Sequence, residues 1–336
     1  MPTPPITIAV DAMGGDHAPR REVEGAVLAA EEWGLGILLV GQEELLRKEL
    51  RRYPARHWPV EVVHAAEVIA MEDDPVRAVR QKRESSIRIA TRLVREGRAQ
   101  AVVSAGNTGA VMATAKIVLG ALPRVDRPAL GAVFPPLGGK SAVMIDVGAN
   151  VDCKPEQLRQ FAVMGATFSR LLLGISNPRV GLLSIGAEQT KGNELTREAY
   201  RLLEQSSLNF VGNVEGRDLY NGSVDVIVCD GFIGNVALKI SEGLADAMQQ
   251  LFKEALSRKA SSKGVSESSR PALEGLAKRI DYSETGGAPL LGVKGVCTIC
   301  HGNSTPKAIQ NAIRMAAELF SAGISEKIEA ELEKLA

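Results

Sequence analysis

The sequence has few aromatic residues, no net charge and few cysteines, and each shortage excludes a class of protein. Phe, Trp and Tyr make up 4% of the 336 residues, and 40 Lys and Arg balance 40 Asp and Glu. Because there is no basic excess to attract phosphate backbones, we expect no nucleic-acid partner. Four irregularly spaced cysteines are too few for a disulfide framework in a chain of this length. A reducing compartment is therefore expected.

Long apolar runs are also missing, and no leader segment is expected. The first apolar run, residues 6–10, ends at Asp11 and has no basic segment before it, so no signal peptide is expected. No run approaches the roughly 18 apolar residues of a membrane-spanning helix. We therefore predict a cytoplasmic protein that can rest on a membrane surface but does not cross it by helices.

The common motifs for cofactors and nucleophiles are absent too. Gly14 and Gly15 follow the first predicted strand, but neither the dinucleotide G-x-G-x-x-G nor the P-loop pattern is present there. No serine lies in a G-x-S-x-G turn. Cys297 to His301 matches C-x-x-C-H, yet no second cysteine pair completes a zinc site, and two apolar-behaving cysteines in a buried strand are favoured. We expect no cofactor and no metal.

Short Val- and Ile-rich runs alternate with segments of helical period along most of the chain. Most of these runs are apolar on both faces, which is typical of buried parallel strands. The alternation predicts a doubly wound α/β fold with a largely parallel sheet in three layers. Predicted strands are residues 6–10, 36–40, 60–64, 101–104, 130–134, 142–145, 179–184, 209–211 and 224–229. Predicted helices lie around residues 18–33, 42–51, 84–97, 107–120, 155–173 and 194–205.

Six turns between predicted elements are rich in Gly, Asn, Asp and Ser. They are residues 11–17, 104–109, 146–150, 186–193, 230–235 and 301–304. One such turn is ordinary, because turns favour these residues. Six at the same end of one sheet would surround a cleft with N–H donors and helix N-termini, which indicates an anionic ligand such as phosphate. The candidate binding residues are Asp11, Gly14, Gly15, His17, Ser104, Asn107, Thr108, Asp146, Asn150 and His301.

The pattern changes from residue 241. Apolar residues recur at spacings of three and four in residues 241–259, which predicts a helix with one oily face. A serine-rich polar loop and a second amphipathic piece follow. We therefore expect an α/β body, residues 1–240 and 281–336, and a protruding helical hairpin, residues 241–280. Two uses of the hairpin remain open, namely burial against the same hairpin of a second subunit and contact with an anionic membrane.

Ordered motifs along most of the chain resemble those of a bacterial enzyme family. Residues 10–19 read Val-Asp-Ala-Met-Gly-Gly-Asp-His-Ala-Pro. Further matches are residues 74–80, 104–109, 126–128, 146–150, 191–195 and 230–235. Together they resemble the phosphate acyltransferases of the PlsX type. The resemblance implies a fold like phosphotransacetylase and isopropylmalate dehydrogenase, a homodimer, and transfer of a long-chain acyl group from acyl carrier protein to inorganic phosphate for phospholipid synthesis.

Residue types suggest how such chemistry is performed. Phosphate that attacks a thioester directly requires a site that holds a multiply charged oxyanion. Lys191 in its glycine-flanked turn is predicted to offer an ammonium for this task, with an ordinary surface lysine as the alternative. Asn235 is predicted to donate its amide to the tetrahedral oxyanion, with helix capping as the alternative. Asp230 is predicted to orient Lys191 or a proton on phosphate, or only to cap the next helix.

Three functions remain open at this point. They are a phosphate acyltransferase that depends on acyl carrier protein, a phosphotransacetylase that uses short-chain acyl coenzyme A, and a membrane-docked scaffold with a vestigial site. Carrier protein is acidic, so a basic rim is expected to steer it, with a solvated helix face as the alternative. The predicted rim consists of Arg77, Arg80, Lys82 and Arg83.

Overall fold

A sheet of eleven strands organises the computed structural model, which describes residues 6–54, 59–135, 141–257 and 285–334. In chain order the strands are β1 (Thr7–Asp11), β2 (Gly36–Gly41), β3 (Val60–His64), β4 (Ala101–Ser104), β5 (Ala129–Phe134), β6 (Ala142–Ile145), β7 (Val180–Leu183), β8 (Phe210–Val214), β9 (Val226–Val228), β10 (Ala288–Leu291) and β11 (Val296–Ile299). Their order across the sheet is β3-β2-β1-β4-β11-β10-β5-β6-β9-β7-β8. The predicted strands therefore all exist, with ends displaced by a few residues.

The sheet contains two parallel blocks that run in opposite directions. Strands β3, β2, β1, β4 and β11 form the first block, and β6, β9, β7 and β8 form the second. Between the blocks, β10 pairs antiparallel with β11 and with β5, and β5 pairs antiparallel with β6. Because each of these three antiparallel pairings reverses the strand direction, the second block runs opposite to the first. The largely parallel α/β fold is confirmed.

The helices of the described chain cover both faces of this sheet. They are α1 (Arg20–Trp33), α2 (Glu43–Leu50), α3 (Pro75–Gln81), α4 (Ser86–Arg95), α5 (Thr108–Val118), α6 (Pro155–Leu172), α7 (Glu194–Glu204), α8 (Asp218–Asn221), α9 (Gly231–Ser257), α10 (Pro306–Ser321) and α11 (Ile324–Glu333). Polar side chains accept first-turn N–H groups at the starts of α3, α5, α7 and α10, as is typical of helix caps. These caps are Asp74, Asn107, Asn193 and Thr305.

Two apolar clusters lie on the two faces of the sheet, because successive strand residues point to opposite sides. Ile8 and Val10 of β1 pack into one cluster together with residues of α1, α6, α10 and α11. Ala9, between them, packs into the other cluster with residues of α4 and α5. The predicted three layers follow from this alternation.

The six glycine-rich turns do not lie at one end of the sheet, and that prediction is wrong. The turns after β1, β4 and β11 follow the first block, whereas those after β6, β7 and β9 follow the block of opposite direction. The apolar pattern of a strand does not record its direction, because it reports only which faces are buried. The β-α alternation in the sequence therefore does not reveal that the second block of strands runs in the opposite direction.

The boundary expected at residue 240 falls inside one continuous helix. α9 begins at Gly231 and extends to Ser257, so the body and the predicted hairpin share it. Residues 258–280, which include the second piece of the hairpin, lie outside the described residues. Within the described part, no helix is long and apolar enough to span a membrane. The side chains of α9 expose an apolar strip that consists of Phe232, Ile233, Val236, Ile240, Leu244 and Leu251.

Candidate active site

A cavity of about 510 Å³ lies over the central strands, and turns from both parallel blocks reach it. This volume is in the range of small-molecule sites. Its apolar lining includes Met112, Leu130, Val133, Leu238, Ile299 and Ala308. Its polar lining includes Thr108, Asn235, Lys239, Glu242, His301 and Ser304. The cavity therefore combines an apolar surface with a group of hydrogen-bonding and charged side chains.

Four of the six glycine-rich turns contribute to this lining, through Thr108, Gly148, Asn235 and His301. The turns at residues 11–17 and 186–193 do not line it. Three of the predicted binding or catalytic side chains, those of Thr108, Asn235 and His301, are thus brought together in one space. The other predicted residues do not line the cavity, and several of them make hydrogen bonds within or between the glycine-rich turns.

Asp11 and Ser104 brace the turns at the ends of β1 and β4. Both are buried; Ser104 Oγ donates to Asp11 Oδ2 at 2.7 Å and accepts from the Gly106 N–H at 3.1 Å. A Cβ atom on Gly14 would lie 2.7 Å from Gly106 N, so the close approach of the two turns requires glycine. Burial raises the pKa of Asp11, and hydrogen bonds from Ser86 and Ser104 oppose that rise. These residues fix the turn that leads into α5.

The side chain of Asn107 makes its hydrogen bonds with backbone groups at the start of α5 and in the loop before α3. Its Oδ1 accepts from the Ala110 N–H at 3.1 Å, which caps the helix. Its Nδ2 donates to the carbonyls of Met71 and Asp73, at 2.9 and 3.2 Å. Asn107 therefore joins the start of α5 to the loop before α3 and positions Thr108 at the cavity.

The carboxylate of Asp146 organises the turn that follows β6. The side chain is fully buried and accepts five hydrogen bonds. Burial raises the pKa of Asp146, and the donated hydrogen bonds act in the opposite direction. The donors are the N–H groups of Leu130, Gly148, Ala149 and Asn150 and the side-chain amide of Asn150, at 2.7–3.1 Å. Asp146 and Asn150 thus carry Gly148 into the cavity lining as positioning residues.

Asp230 caps α9, and Asn235 lies one turn further along this helix. Asp230 Oδ1 accepts from the Ile233 N–H at 2.9 Å, so the capping alternative holds for Asp230 and not for Asn235. Asn235 is exposed to the cavity beside the β6 turn, where a Cβ atom on Gly148 would lie 3.3 Å from its Oδ1. The amide of Asn235 is therefore placed to meet a ligand.

Lys191 lies in an exposed turn before α7 and does not line the cavity. Its backbone N–H donates to the Glu188 carbonyl at 3.0 Å, and its Cγ would lie 3.2 Å from a Cβ atom on Gly186. Among the described residues, the lysine in the lining is Lys239, which sequence reasoning missed. Asn235 and Lys239 are four residues apart on a helix that follows a glycine-rich turn, and this spacing would have pointed to it.

The turns at residues 11–17 and 301–304 are joined to each other. The Asp16 N–H donates to the Gly302 carbonyl at 2.9 Å. His17 Nε2 lies 3.2 Å from Asn303 Oδ1, and the Asn303 N–H donates to His301 Nδ1 at 3.2 Å. His17 therefore acts outside the cavity on the turn that carries His301 into it.

A buried carboxyl group lies beneath the Gly14-Gly15 turn and belongs to Glu22 of α1. The residue is 2% exposed, and a Cβ atom on Gly15 would collide with its Oε1. Burial raises the pKa of Glu22 to about 7, with smaller contributions in the same direction from Asp11 and Asp16 and an opposing one from Arg21. The folded state thus favours the neutral form of this group.

Replacement of Glu22 by glutamine is expected to change how stability depends on pH. The folded protein keeps this proton up to about pH 7, whereas the ordinary pKa is 4.5, so the contribution of Glu22 to the free energy of unfolding falls as the pH rises between these values. Glu22→Gln should therefore be more stable than wild type at pH 8, by on the order of 3 kcal/mol, and similar at pH 4.5. Urea unfolding measures this, with Glu24→Gln as the control. Parallel pH profiles for wild type and Glu22→Gln would contradict it.

Solved structures with a similar fold include phosphotransacetylases and 4-hydroxythreonine-4-phosphate dehydrogenases. A phosphotransacetylase from Streptococcus pyogenes superimposes with a TM-score of 0.65 at 16% identity, over 96% of this chain and 94% of that one. A 4-hydroxythreonine-4-phosphate dehydrogenase from Klebsiella pneumoniae gives a TM-score of 0.52 at 13% identity, over 94% of this chain and 99% of that one. Identities this low show the fold alone, and they confirm the predicted fold class.

Sequence similarity is more specific than the fold. Residues 6–327 match the family described as fatty acid synthesis protein, and the chain belongs to this family. A phosphate acyltransferase from Pelotomaculum thermopropionicum is 55% identical over 330 residues, covering 98% of this chain and 96% of that relative. The predicted membership of the PlsX-type family and the predicted class of enzyme, an acyltransferase, are confirmed.

Proposed function

We propose that this enzyme transfers a long-chain acyl group from acyl carrier protein to inorganic phosphate and so supplies acyl phosphate for phospholipid synthesis. The cavity is the observation that carries this proposal. Its apolar lining, with Met112, Leu130 and Leu238, suits an acyl chain, and the polar groups of Thr108 and Asn235 suit phosphate and the thioester carbonyl. Both kinds of surface are needed by a reaction that joins a fatty acyl group to an anion.

The proposed reaction balances with the thioester and phosphate alone. An oxygen of hydrogen phosphate attacks the thioester carbonyl carbon, the new C–O bond forms, and the C–S bond breaks. The phosphate proton leaves with the sulfur as a thiol, and acyl phosphate remains. Negative charge develops on the carbonyl oxygen, where fixed donors stabilise it best. The Asn235 amide and the N-terminal end of α5 at Thr108 are the donors that we assign to this step.

A comparison of acyl donors tests the proposal. The purified chain is incubated with phosphate and either palmitoyl carrier protein or acetyl coenzyme A, and acyl phosphate is trapped as hydroxamate. Turnover with palmitoyl carrier protein is expected. A preference for acetyl coenzyme A would instead favour the short-chain phosphotransacetylase, which the shared fold makes the second candidate. If neither donor gives acyl phosphate and neither thioester is hydrolysed in arsenate, the chain is not an active acyltransferase. That result would favour the scaffold alternative.

One member of the basic rim that we expect for an acidic carrier protein, Lys82, has its charge paired in the structure. Lys82 Nζ donates to Asp73 Oδ2 at 2.6 Å and to the Val68 carbonyl at 2.8 Å, so its charge is paired within the loop. Arg77 and Arg80 of α3 are exposed. Pro75, at the start of α3, lies against Gly109 near the cavity, where a Cβ atom on Gly109 would come within 2.8 Å of it. Arg83, which follows α3, is also exposed and stays a predicted member of the rim. We assign carrier-protein steering first to Arg77 and Arg80, because they share α3 with Pro75.

Reversing the charges of Arg77 and Arg80 is therefore expected to weaken the reaction with carrier protein. The Arg77→Glu, Arg80→Glu double variant should raise the KM for acyl carrier protein about tenfold at low salt and flatten its salt dependence, since steering is screened by salt. Steady-state rates from 20 mM to about 300 mM salt measure this. Arg197→Glu with Arg201→Glu, two exposed arginines of α7, provide the matched control. The same salt dependence in both double variants would place the docking surface elsewhere.

The exposed apolar strip of α9 is proposed to pair with a second copy of the chain. The strip continues the oily face that the sequence predicts for residues 241–259, and the family resemblance implies a homodimer. Peripheral contact with an anionic membrane is proposed for the far end of the hairpin, residues 258–280, which lie outside the described residues. Sedimentation of the whole chain and flotation with anionic vesicles test the two proposals separately. A monomer would remove the first, and absence from the vesicle fraction would remove the second.

A further inference from the structure

An ion pair on α9 faces the cavity. Lys239 Nζ donates to Glu242 Oε2 at 2.8 Å. Asn235, Leu238, Lys239 and Glu242 are spaced at i, i+3, i+4 and i+7, and all four line the cavity, so they share one helix face. The side chain of Lys239 is 51% exposed and that of Glu242 is 22% exposed. The ammonium thus reaches open space while its partner is held closer to the protein.

Positively charged side chains are scarce among the described residues that line the cavity. Among the described residues that line it, Lys239 alone is a lysine or arginine. A dianion cannot enter a cavity with apolar walls at low cost unless a cation or several N–H donors meet it there. The N-terminal end of α5 lies at the same cavity through Thr108, and Lys191 lies outside. Among the described residues that line the cavity, Lys239 and the start of α5 are therefore the positive groups that we consider for a bound anion.

We propose that Lys239 binds the phosphate substrate, and that Glu242 is a positioning residue which holds the ammonium at the cavity. This assignment rests on the proposed function and names the group that recognises the anion. An ammonium has three N–H donors, so the bond to Glu242 leaves donors for phosphate. Because the contact is made by bound phosphate before the acyl transfer, it acts mainly on phosphate affinity rather than on turnover.

Titration of the whole chain with inorganic phosphate, followed by ³¹P NMR, tests the assignment without an acyl donor. Lys239→Met should weaken phosphate binding about tenfold or more, as expected for the loss of a charge-assisted hydrogen bond. Lys239→Arg should recover a substantial part of the affinity. Lys116→Met, which removes an exposed lysine of α5 outside the cavity, should bind phosphate like wild type. Unchanged affinity in Lys239→Met would overturn the proposal.

A double variant separates direct binding from simple neutralisation of Glu242. Lys239→Met leaves the Glu242 carboxylate unpaired, and this charge alone would repel phosphate. In Lys239→Met with Glu242→Gln the repulsion is absent, and the loss of affinity should persist if Lys239 contacts phosphate. Full recovery of wild-type affinity would overturn direct binding. Thermal melting of each variant confirms that the fold is retained.

Kinetics give a second readout. The KM for phosphate should rise in Lys239→Met by at least as much as kcat falls, whereas a merely structural role would not change the KM selectively. Failure of the proposed function would give a different experimental result. In that case wild type binds phosphate in a manner that depends on Lys239 but forms no acyl phosphate from carrier protein.

Discussion

Replacement of Asp146 by asparagine is expected to lower the free energy of unfolding by about 3–5 kcal/mol. The wild-type carboxylate accepts five N–H groups, three on Oδ1 and two on Oδ2, and has no solvent exposure. An asparagine of the same shape must point its NH₂ group at one of these two sets of donors. Buried donors then face a donor, and their hydrogen bonds are lost without replacement by water.

Chemical denaturation of wild type and Asp146→Asn measures this loss. Asp152→Asn is the matched control, because Asp152 lies in the same loop and is exposed. Its stability should stay within about 0.5 kcal/mol of wild type. A difference of less than about 1 kcal/mol for Asp146→Asn would show that the five hydrogen bonds contribute little beyond those made with water.

The position of Asp146 explains why a stability defect there should also reach the cavity. One of its donors, the Leu130 N–H, belongs to β5, and Leu130 itself lines the cavity. Asn150 donates to the same carboxylate. Its backbone carbonyl accepts from the N–H of Gly231, at the start of α9, at 2.7 Å. Asp146 therefore links the central strand to the helix that carries Asn235.

Several predicted binding residues make hydrogen bonds within their own turns, and the sequence does not reveal these contacts. Asp11, Asp146 and Asn150 were predicted to bind phosphate or substrate, because turns rich in Asp, Asn and Gly supply donors to anions. The described contacts of these side chains brace the turns themselves, and their binding role stays a prediction. Residue type does not separate the two uses, since hydrogen bonds within a turn and to a ligand require the same groups.

The fold was predictable to the extent that it depends on local apolar patterns. The predicted strands and the six predicted helices are present, because each buries a face whose period is visible in the sequence. The antiparallel insertion of β10 and β5 was not predictable, since it depends on strand pairing between distant segments. Lys239 was missed for a related reason. A helix after Asp230 and an oily helix from residue 241 are predicted as separate pieces, whereas α9 runs through both, so the sequence pattern alone does not place Lys239 on the helix face that carries Asn235.

Replacement of Lys191 by alanine is expected to lower kcat by about 10² while the fold stays intact. The residue lies in the turn after β7, and β7 is the parallel neighbour of β9, which leads to Asp230 and Asn235. The two turns therefore follow the carboxyl ends of adjacent strands. We propose that the Lys191 ammonium approaches the reacting groups from this side and stabilises charge that develops during the transfer.

The kinetic signature distinguishes this role from that of Lys239. A group that acts on developing charge changes kcat with little effect on the KM for phosphate, whereas a group that binds phosphate changes mainly the KM. Lys191→Ala and Lys239→Met should thus show opposite patterns in the same assay, with Lys48→Ala, an exposed lysine of α2, as the control. Near-normal kcat in Lys191→Ala would restrict this lysine to packing beside Gly186 and would leave Lys239 as the cation of the site, because no other described lysine or arginine lines the cavity.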